Sequence, residues 1–185
     1  MKKLAVLIAI SMLLVFAAAC FAQYGYYDEE IAAKQNAIKL GVFRPQDGDV
    51  REFVGKSWFM AAYERVIKTM MPKSDELTVE IGYTQKNGDV DARVIPLTLN
   101  YRTYLKQGGD EMMGIQGGAY AGAGVGAYLV RFSDDVSTES KTKFGANVFV
   151  GFAAKDYLLE LKYHFVSKIE GVKPGGFALM AGYRF

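Results

Sequence analysis

Apolar residues recur at every second position through most of this chain, and that period constrains its fold more than any other feature. Residues 77–84 read L-T-V-E-I-G-Y-T, placing Leu77, Val79, Ile81 and Tyr83 on one face and Thr78, Glu80, Gly82 and Thr84 on the other. In residues 157–168, Tyr157, Leu159, Leu161, Tyr163 and Phe165 oppose Leu158, Glu160, Lys162, His164, Val166 and Lys168. A period of two is the period of a strand, so these segments are expected to be β. The same alternation runs through 144–153 and 177–185, and only Ala154, Lys155 and Asp156 separate 144–153 from the strand that follows, which predicts a tight hairpin.

Further strands are expected at 37–44, 58–66, 93–105 and 114–132, making eight in all. The glycine-rich stretch 114–132 is ambiguous in face; Ala119, Ala121, Ala123, Val125, Ala127 and Leu129 are assigned outward, which leaves Gly122, Gly124 and Gly126 where neighbouring side chains need room. Loops are expected at 45–57, 86–91, 133–143 and 170–175 after the odd strands. After the even strands they are expected at 68–76, 106–112 and 154–156. Residues 49–54 suit a helical turn, and Asn87-Gly88 is a turn signal. The chain's 185 residues are the length of one domain. Its 20 glycines, 12 tyrosines and 12 phenylalanines agree with an all-β protein, and a single cysteine rules out an internal disulfide framework.

The first residues have another purpose. Lys2 and Lys3 precede the apolar run 4–16, and small residues fill 17–22, the layout of a secretory signal peptide. The run is shorter than the roughly 20 residues a spanning helix needs. Cleavage after Ala22 is favoured over lipoprotein processing at Cys20, because the position three residues before the cysteine holds Ala17 rather than leucine. The expected organisation is signal peptide 1–22, polar lead-in 23–35 and barrel 36–185. Cleavage removes two of 22 basic residues and none of 20 acidic ones, leaving equal numbers of each. No Lys/Arg run remains to suggest a nucleic-acid partner.

Alternation alone does not say which face meets water, since a soluble barrel hides its apolar face and a membrane barrel turns it toward lipid. The apolar faces here carry aromatics near their ends, as in Tyr157 and Phe165, or Phe177 with Tyr183 and Phe185, which suits interfacial girdles. The other faces mix glycine, small polar residues and charges of both signs, which suits a narrow lumen filled by its own side chains. The fold expected is therefore an all-β, eight-stranded antiparallel up-and-down transmembrane barrel. Four stretches carry a likeness: A-I-K-L-G-V-F-R-P at 37–45, I-P-L-T-L-N-Y-R at 95–102, Y-A-G-A-G-V-G-A-Y at 120–128 and A-G-Y-R-F at 181–185. Across 36–185 the chain resembles the small outer-membrane β-barrel proteins of the OmpA-, OmpX- and OmpW-like type. That resemblance implies an outer-membrane location and lipid contact. It also implies dealings with periplasmic chaperones and with the barrel-assembly machinery, for which Tyr183 and Phe185 would be the signal.

With these faces, Lys39, Glu64, Glu80, Arg102, Glu160, Lys162, His164 and Arg184 point into the lumen. Their charges nearly cancel, and pairing across strands is expected because single buried charges are costly. The principal expectation is a salt-bridged plug that stiffens the barrel; the sharper alternative is a polar path for ions or small solutes. His164 is the only histidine. In outer-membrane lipid A deacylases a histidine and a serine sit two residues apart on one strand face; here Val166 takes that place and Ser167 projects to the opposite face. No catalytic residue, metal site or cofactor is expected, Asp47, Asp49, Asp134 and Asp135 being assigned as solvated loop charges. The leading expectation is a non-enzymatic outer-membrane barrel with a structural, adhesive or lipid-contact role. The alternatives are a small transporter of hydrophobic solutes, a lipid-modifying enzyme, or a soluble periplasmic lipid-binding barrel.

Overall fold

A computed structural model describes residues 34–70, 75–86, 91–104, 117–133, 138–154, 156–169 and 171–185. The signal peptide with Cys20, the Asn87-Gly88 turn, and Asp134 and Asp135 lie outside them. The described chain forms β1 (Asn36–Pro45), α1 (Gly48–Phe53), β2 (Trp58–Met70), β3 (Asp75–Lys86), β4 (Asp91–Tyr104), β5 (Gly117–Ser133), β6 (Thr138–Ala154), β7 (Tyr157–Val166) and β8 (Gly176–Arg184). Each strand pairs antiparallel with the next, and β8 pairs with β1, so the sheet closes into an eight-stranded barrel. Closure gives every described strand a partner on both sides. At the seam Asn36 N–H donates to Phe185 O at 3.1 Å and Phe185 N–H to Asn36 O at 2.9 Å. Both ends of the barrel segment therefore lie at one rim, here called the terminal end. Helix α1 and the turn around Ile169 lie at the opposite, far end.

Side-chain exposure follows the sequence period. Ile38, Leu40 and Val42 on β1, Leu97, Leu99 and Tyr101 on β4, and Leu159, Leu161 and Phe165 on β7 are exposed, while Lys39 and Phe43, Thr98 and Asn100, and Glu160, Lys162 and His164, on the alternate positions, are buried. The outer face is the apolar one. The glycine-rich β5 follows suit, with Val125 64% exposed and Tyr120 and Tyr128 each 1%. Glycines on the inner face make room for large neighbours: a Cβ on Gly151 would lie 2.3 Å from Tyr120 Cζ, and one on Gly124 would lie 1.9 Å from Asn100 Oδ1.

Several strand limits differ from expectation. The segments 133–143 and 68–76 read as loops in the sequence, yet β5 and β6 stay paired out to Ser133 and Thr138, and β2 and β3 out to Met70 and Asp75. Thr138, Glu139, Ser140, Lys141 and Thr142 are polar on both faces, so pairing there produces no apolar period to read. A bulge between Val66 and Lys68 breaks the β2 alternation in the same way, leaving Ile67 exposed. At the other margin β7 ends at Val166, two residues short of the expected 168. Pro96 sits within β4, where the partners with β3 skip from Ile81–Leu97 to Thr84–Val94, as expected of a residue with no N–H to donate.

The far half of the interior also differs from the polar lumen expected. Phe43, Trp58, Met60, Val94, Tyr128, Val130, Ala178 and Met180 fill it, and Val50, Val54 and Ile169 close it from above. Runs such as W-F-M and V-I are apolar on both faces there, so alternation conceals an interior of this kind. Helix α1 is docked by Asp47, which accepts from Asp49 N–H at 3.0 Å as N-cap and from Lys173 N–H at 3.0 Å. The bond from Lys173 is the main reason the Asp47 carboxyl lies below its ordinary range.

Candidate functional site: the charged lumen

Inward positions on six strands, β1 to β4, β7 and β8, converge in the terminal half of the lumen. Lys39 on β1 donates from Nζ to Glu64 Oε2 and Glu80 Oε2 at 2.8 Å each, and to both Glu160 oxygens at 3.1 Å. Arg102 on β4 spans Glu64, with Nη2 at 2.6 and 2.7 Å from its two oxygens, and Glu76, with Nη1 at 2.9 Å from Oε2. Lys162 on β7 lies 2.6 and 2.7 Å from the Glu80 oxygens and 3.1 Å from Glu160 Oε1. Arg184 on β8 reaches Glu76 Oε2 at 3.0 Å and donates to the Tyr104 hydroxyl.

All eight residues named from the sequence, including His164, are buried on the inner face, and seven of them share this network. Its eighth member lies within a segment expected to be loop. Glu76 is 1% exposed and bridges Arg102 and Arg184. Its addition balances Lys39, Arg102, Lys162 and Arg184 with Glu64, Glu76, Glu80 and Glu160, four of each sign. The signal was available: Glu76, Thr78 and Glu80 have the same parity, so extending β3 backwards by two residues turns Glu76 inward. Aromatic rings complete the layer. Tyr120 donates to Glu160 Oε2 at 3.1 Å and lies under Arg102 with 4.6 Å from Cζ to ring centre, and Lys162 Nζ lies 4.9 Å from the Phe149 ring centre.

His164 belongs to a different layer. Its Nδ1 is 3.0 Å from the Tyr128 hydroxyl, its ring packs edge-on against Phe43, and its Nε2 has no protein partner. Asn147 donates to Asn100 Oδ1 at 3.0 Å across Gly124, and Thr78 and Thr98 leave buried hydroxyls without partners nearby in the register. This polar tier separates the charged half from the apolar half. The cavity lined by His164, Tyr128, Met60, Phe43 and Pro96 holds about 10 Å³, space for one water. Ser167 does not join His164; its hydroxyl bonds Phe144 O at 3.1 Å outside the lumen. Among the described residues no group of His, Cys, Asp or Glu is arranged to hold a metal ion.

Around this interior the outer face forms two aromatic rims. Tyr63, Tyr101, Tyr157, Tyr183 and Phe185 lie toward the terminal end. Tyr157 and Tyr183 stack edge-on at 5.6 Å, and Tyr63 donates to Asn36 Oδ1 at 2.6 Å. Phe59, Phe144, Tyr163, Phe165 and Phe177 lie toward the far end, with Tyr163 packed against both Phe165 and Phe177.

No protein-family model matches the chain, and no curated protein matches it. Solved structures do. Neisserial surface protein A aligns with a TM-score of 0.62 at 14% identity, covering 80% of this chain and 93% of that one. The outer membrane enzyme PagL aligns with a TM-score of 0.52 at 14% identity, covering 80% and 98%. Ail of Yersinia pestis is a more distant match, at a TM-score of 0.47 and 18% identity over 82% and 99%. With its closed antiparallel sheet and its apolar outer face, the chain has the eight-stranded β-barrel fold of the small outer-membrane proteins.

Proposed function

We propose that this protein is a non-enzymatic barrel of the outer membrane whose wall and far rim serve a structural, adhesive or lipid-contact role. One observation carries the reading: a belt of exposed apolar side chains, edged at both ends by aromatic rings, surrounds a lumen closed by paired charges. Water does not favour such a belt, whereas a bilayer accommodates it. The charge layer supports a wall rather than a pore, since every carboxylate in it accepts from at least one fixed cation. The neisserial neighbour is by name a surface protein, which agrees with a place for this chain at the cell surface. Engagement of His164 with Tyr128 and of Ser167 with a backbone carbonyl supports the non-enzymatic part. In biogenesis Tyr183 and Phe185, both outward at the terminal rim, are the candidate signal for the assembly machinery.

The test combines fractionation with conductance. The protein should partition with the outer membrane, migrate differently in gels before and after heating, and give no conductance steps in planar bilayers. Recovery in the soluble periplasmic fraction would overturn the reading. Lipids extracted after expression should be chemically unchanged. Deletion of Phe185 should lower outer-membrane levels, and normal levels would remove the assembly role.

A transporter of hydrophobic solutes is the second reading, favoured by the apolar far half of the lumen together with the ladder gap at Pro96 in the adjoining wall. Accumulation of a hydrophobic solute that depends on the barrel would select it.

A further inference from the structure

Two arginines face each other across the β4–β5 seam near the far end. Arg93 and Arg131 are direct register partners, and they share the outward parity of Ile95 and Leu129, one outward position beyond the apolar belt. Like charges placed opposite each other on neighbouring strands repel. Nothing in the described protein offsets that repulsion by an ion pair: neither arginine has a carboxylate partner, and the Arg93 Nε is covered without a hydrogen bond. Arg93 is held in place by stacking, its Cζ 5.4 Å from the centre of the Tyr83 ring. Arg131 is exposed. With Gln85, Asp91 and Ser133 the two line a concavity of about 120 Å³ on the outer wall. Asp91 contributes one carboxylate at its margin, opposite Ser133.

We propose that Arg93 and Arg131 form a binding site for the phosphate of a membrane lipid headgroup in the leaflet at the far end. This rests on the outer-membrane reading above. A phosphate supplies several acceptor oxygens to two planar guanidinium forks, the geometry that arginine satisfies best. Depth argues for a lipid source: the stacked Tyr83 places the pair where the apolar belt gives way to polar wall, the level of the headgroups.

The probe is lipid A bearing two phosphate monoesters, compared with the same lipid after dephosphorylation, each mixed into phosphatidylcholine nanodiscs holding the folded protein. Native mass spectrometry counts the lipid that stays bound. The wild type should retain the phosphorylated form about tenfold better, as expected for charged hydrogen bonds. Arg93→Gln combined with Arg131→Gln should abolish the preference. Arg44→Gln removes another exposed outward arginine outside the concavity and should leave the preference intact. Equal retention of both lipids by the wild type overturns the site, as does an equal loss in Arg44→Gln. Displacement of the lipid by millimolar inorganic phosphate would assign the site to a free anion and overturn the lipid source. Heat-modifiable migration checks each variant independently. A chain that inserts without phosphate preference counts against the arginine pair alone, whereas a chain that never inserts defeats the outer-membrane reading and this inference together.

Discussion

Glu76 concentrates the energetics of the lumen in one carboxylate. It accepts from Arg102 at 2.9 Å and from Arg184 at 3.0 Å with almost no solvent contact, so removing its charge leaves two buried guanidinium groups poorly compensated. Glu76→Gln should lower unfolding stability in lipid vesicles by about 3–5 kcal/mol, the usual cost of breaking a buried pair. Glu139, paired with Lys141 at 2.5 Å but 41% exposed, provides the comparison, and Glu139→Gln should cost less than about 1 kcal/mol. Urea titration of both variants measures the difference, and equal costs would mean that the lumen is far better hydrated than its packing implies. Gly124→Ala probes the same interior from the backbone. The added carbon meets Asn100 Oδ1 at 1.9 Å, so Asn100 must move and its bond to Asn147 must break. A loss of about 1–3 kcal/mol is expected, with the barrel still closed.

Among the elements, α1 depends most on a single contact. Asp47 caps its first turn and ties it to Lys173 across the far mouth, over the apolar layer that contains Trp58. The Asp47 carboxyl is held below its ordinary value of 3.8, chiefly by the Lys173 N–H. A group whose folded value is depressed contributes stability above its unfolded value, and that contribution disappears as the pH falls through the folded one. Docking of α1 should therefore be complete at neutral pH and weaken from just below pH 4 downward. Trp58, the only tryptophan, donates to Gly55 O and reports on this closure through its fluorescence. Its emission should shift red in acid, and Asp47→Ala should produce the same shift at neutral pH. An acid response unchanged in Asp47→Ala would remove Asp47 from the explanation. The strand margins also differ in legibility at this scale. The apolar middles of β3, β4, β7 and β8 follow period two, whereas the outer reaches of β5 and β6 are polar on both faces and owe their pairing to the partner strand.

At the scale of the whole molecule the decisive question is which face meets lipid. Leu161 is outward near the middle of β7, and its neighbour Lys162 is wholly buried. Leu161→Arg puts a charge into the apolar belt and should cost about 2–4 kcal/mol in vesicles. Folding yield into lipid vesicles, read by protease protection, measures the effect. Wild-type yield from the variant would mean that the belt does not meet hydrocarbon. The charge layer explains why the interior and the belt coexist: four cations and four carboxylates satisfy one another inside the closed sheet, which leaves the outward positions of the belt to apolar side chains.

The local sequence determined the strands, their inward and outward faces and the inward course of Lys39, Glu64, Glu80, Arg102, Glu160, Lys162, His164 and Arg184, because side-chain direction in a strand depends only on parity. Tertiary structure decided which of these meet. His164 has the parity of Lys162 but lies one inward step further toward the far end, where the ring of Tyr128 receives it instead of the charges. Glu76 joined the network because β2 and β4 hold the polar start of β3 in register. The apolar far half was hidden for a related reason: Trp58, Met60, Val94 and Val130 sit beside outward residues in runs with weak contrast, and only closure of the sheet around α1 makes those side chains an interior.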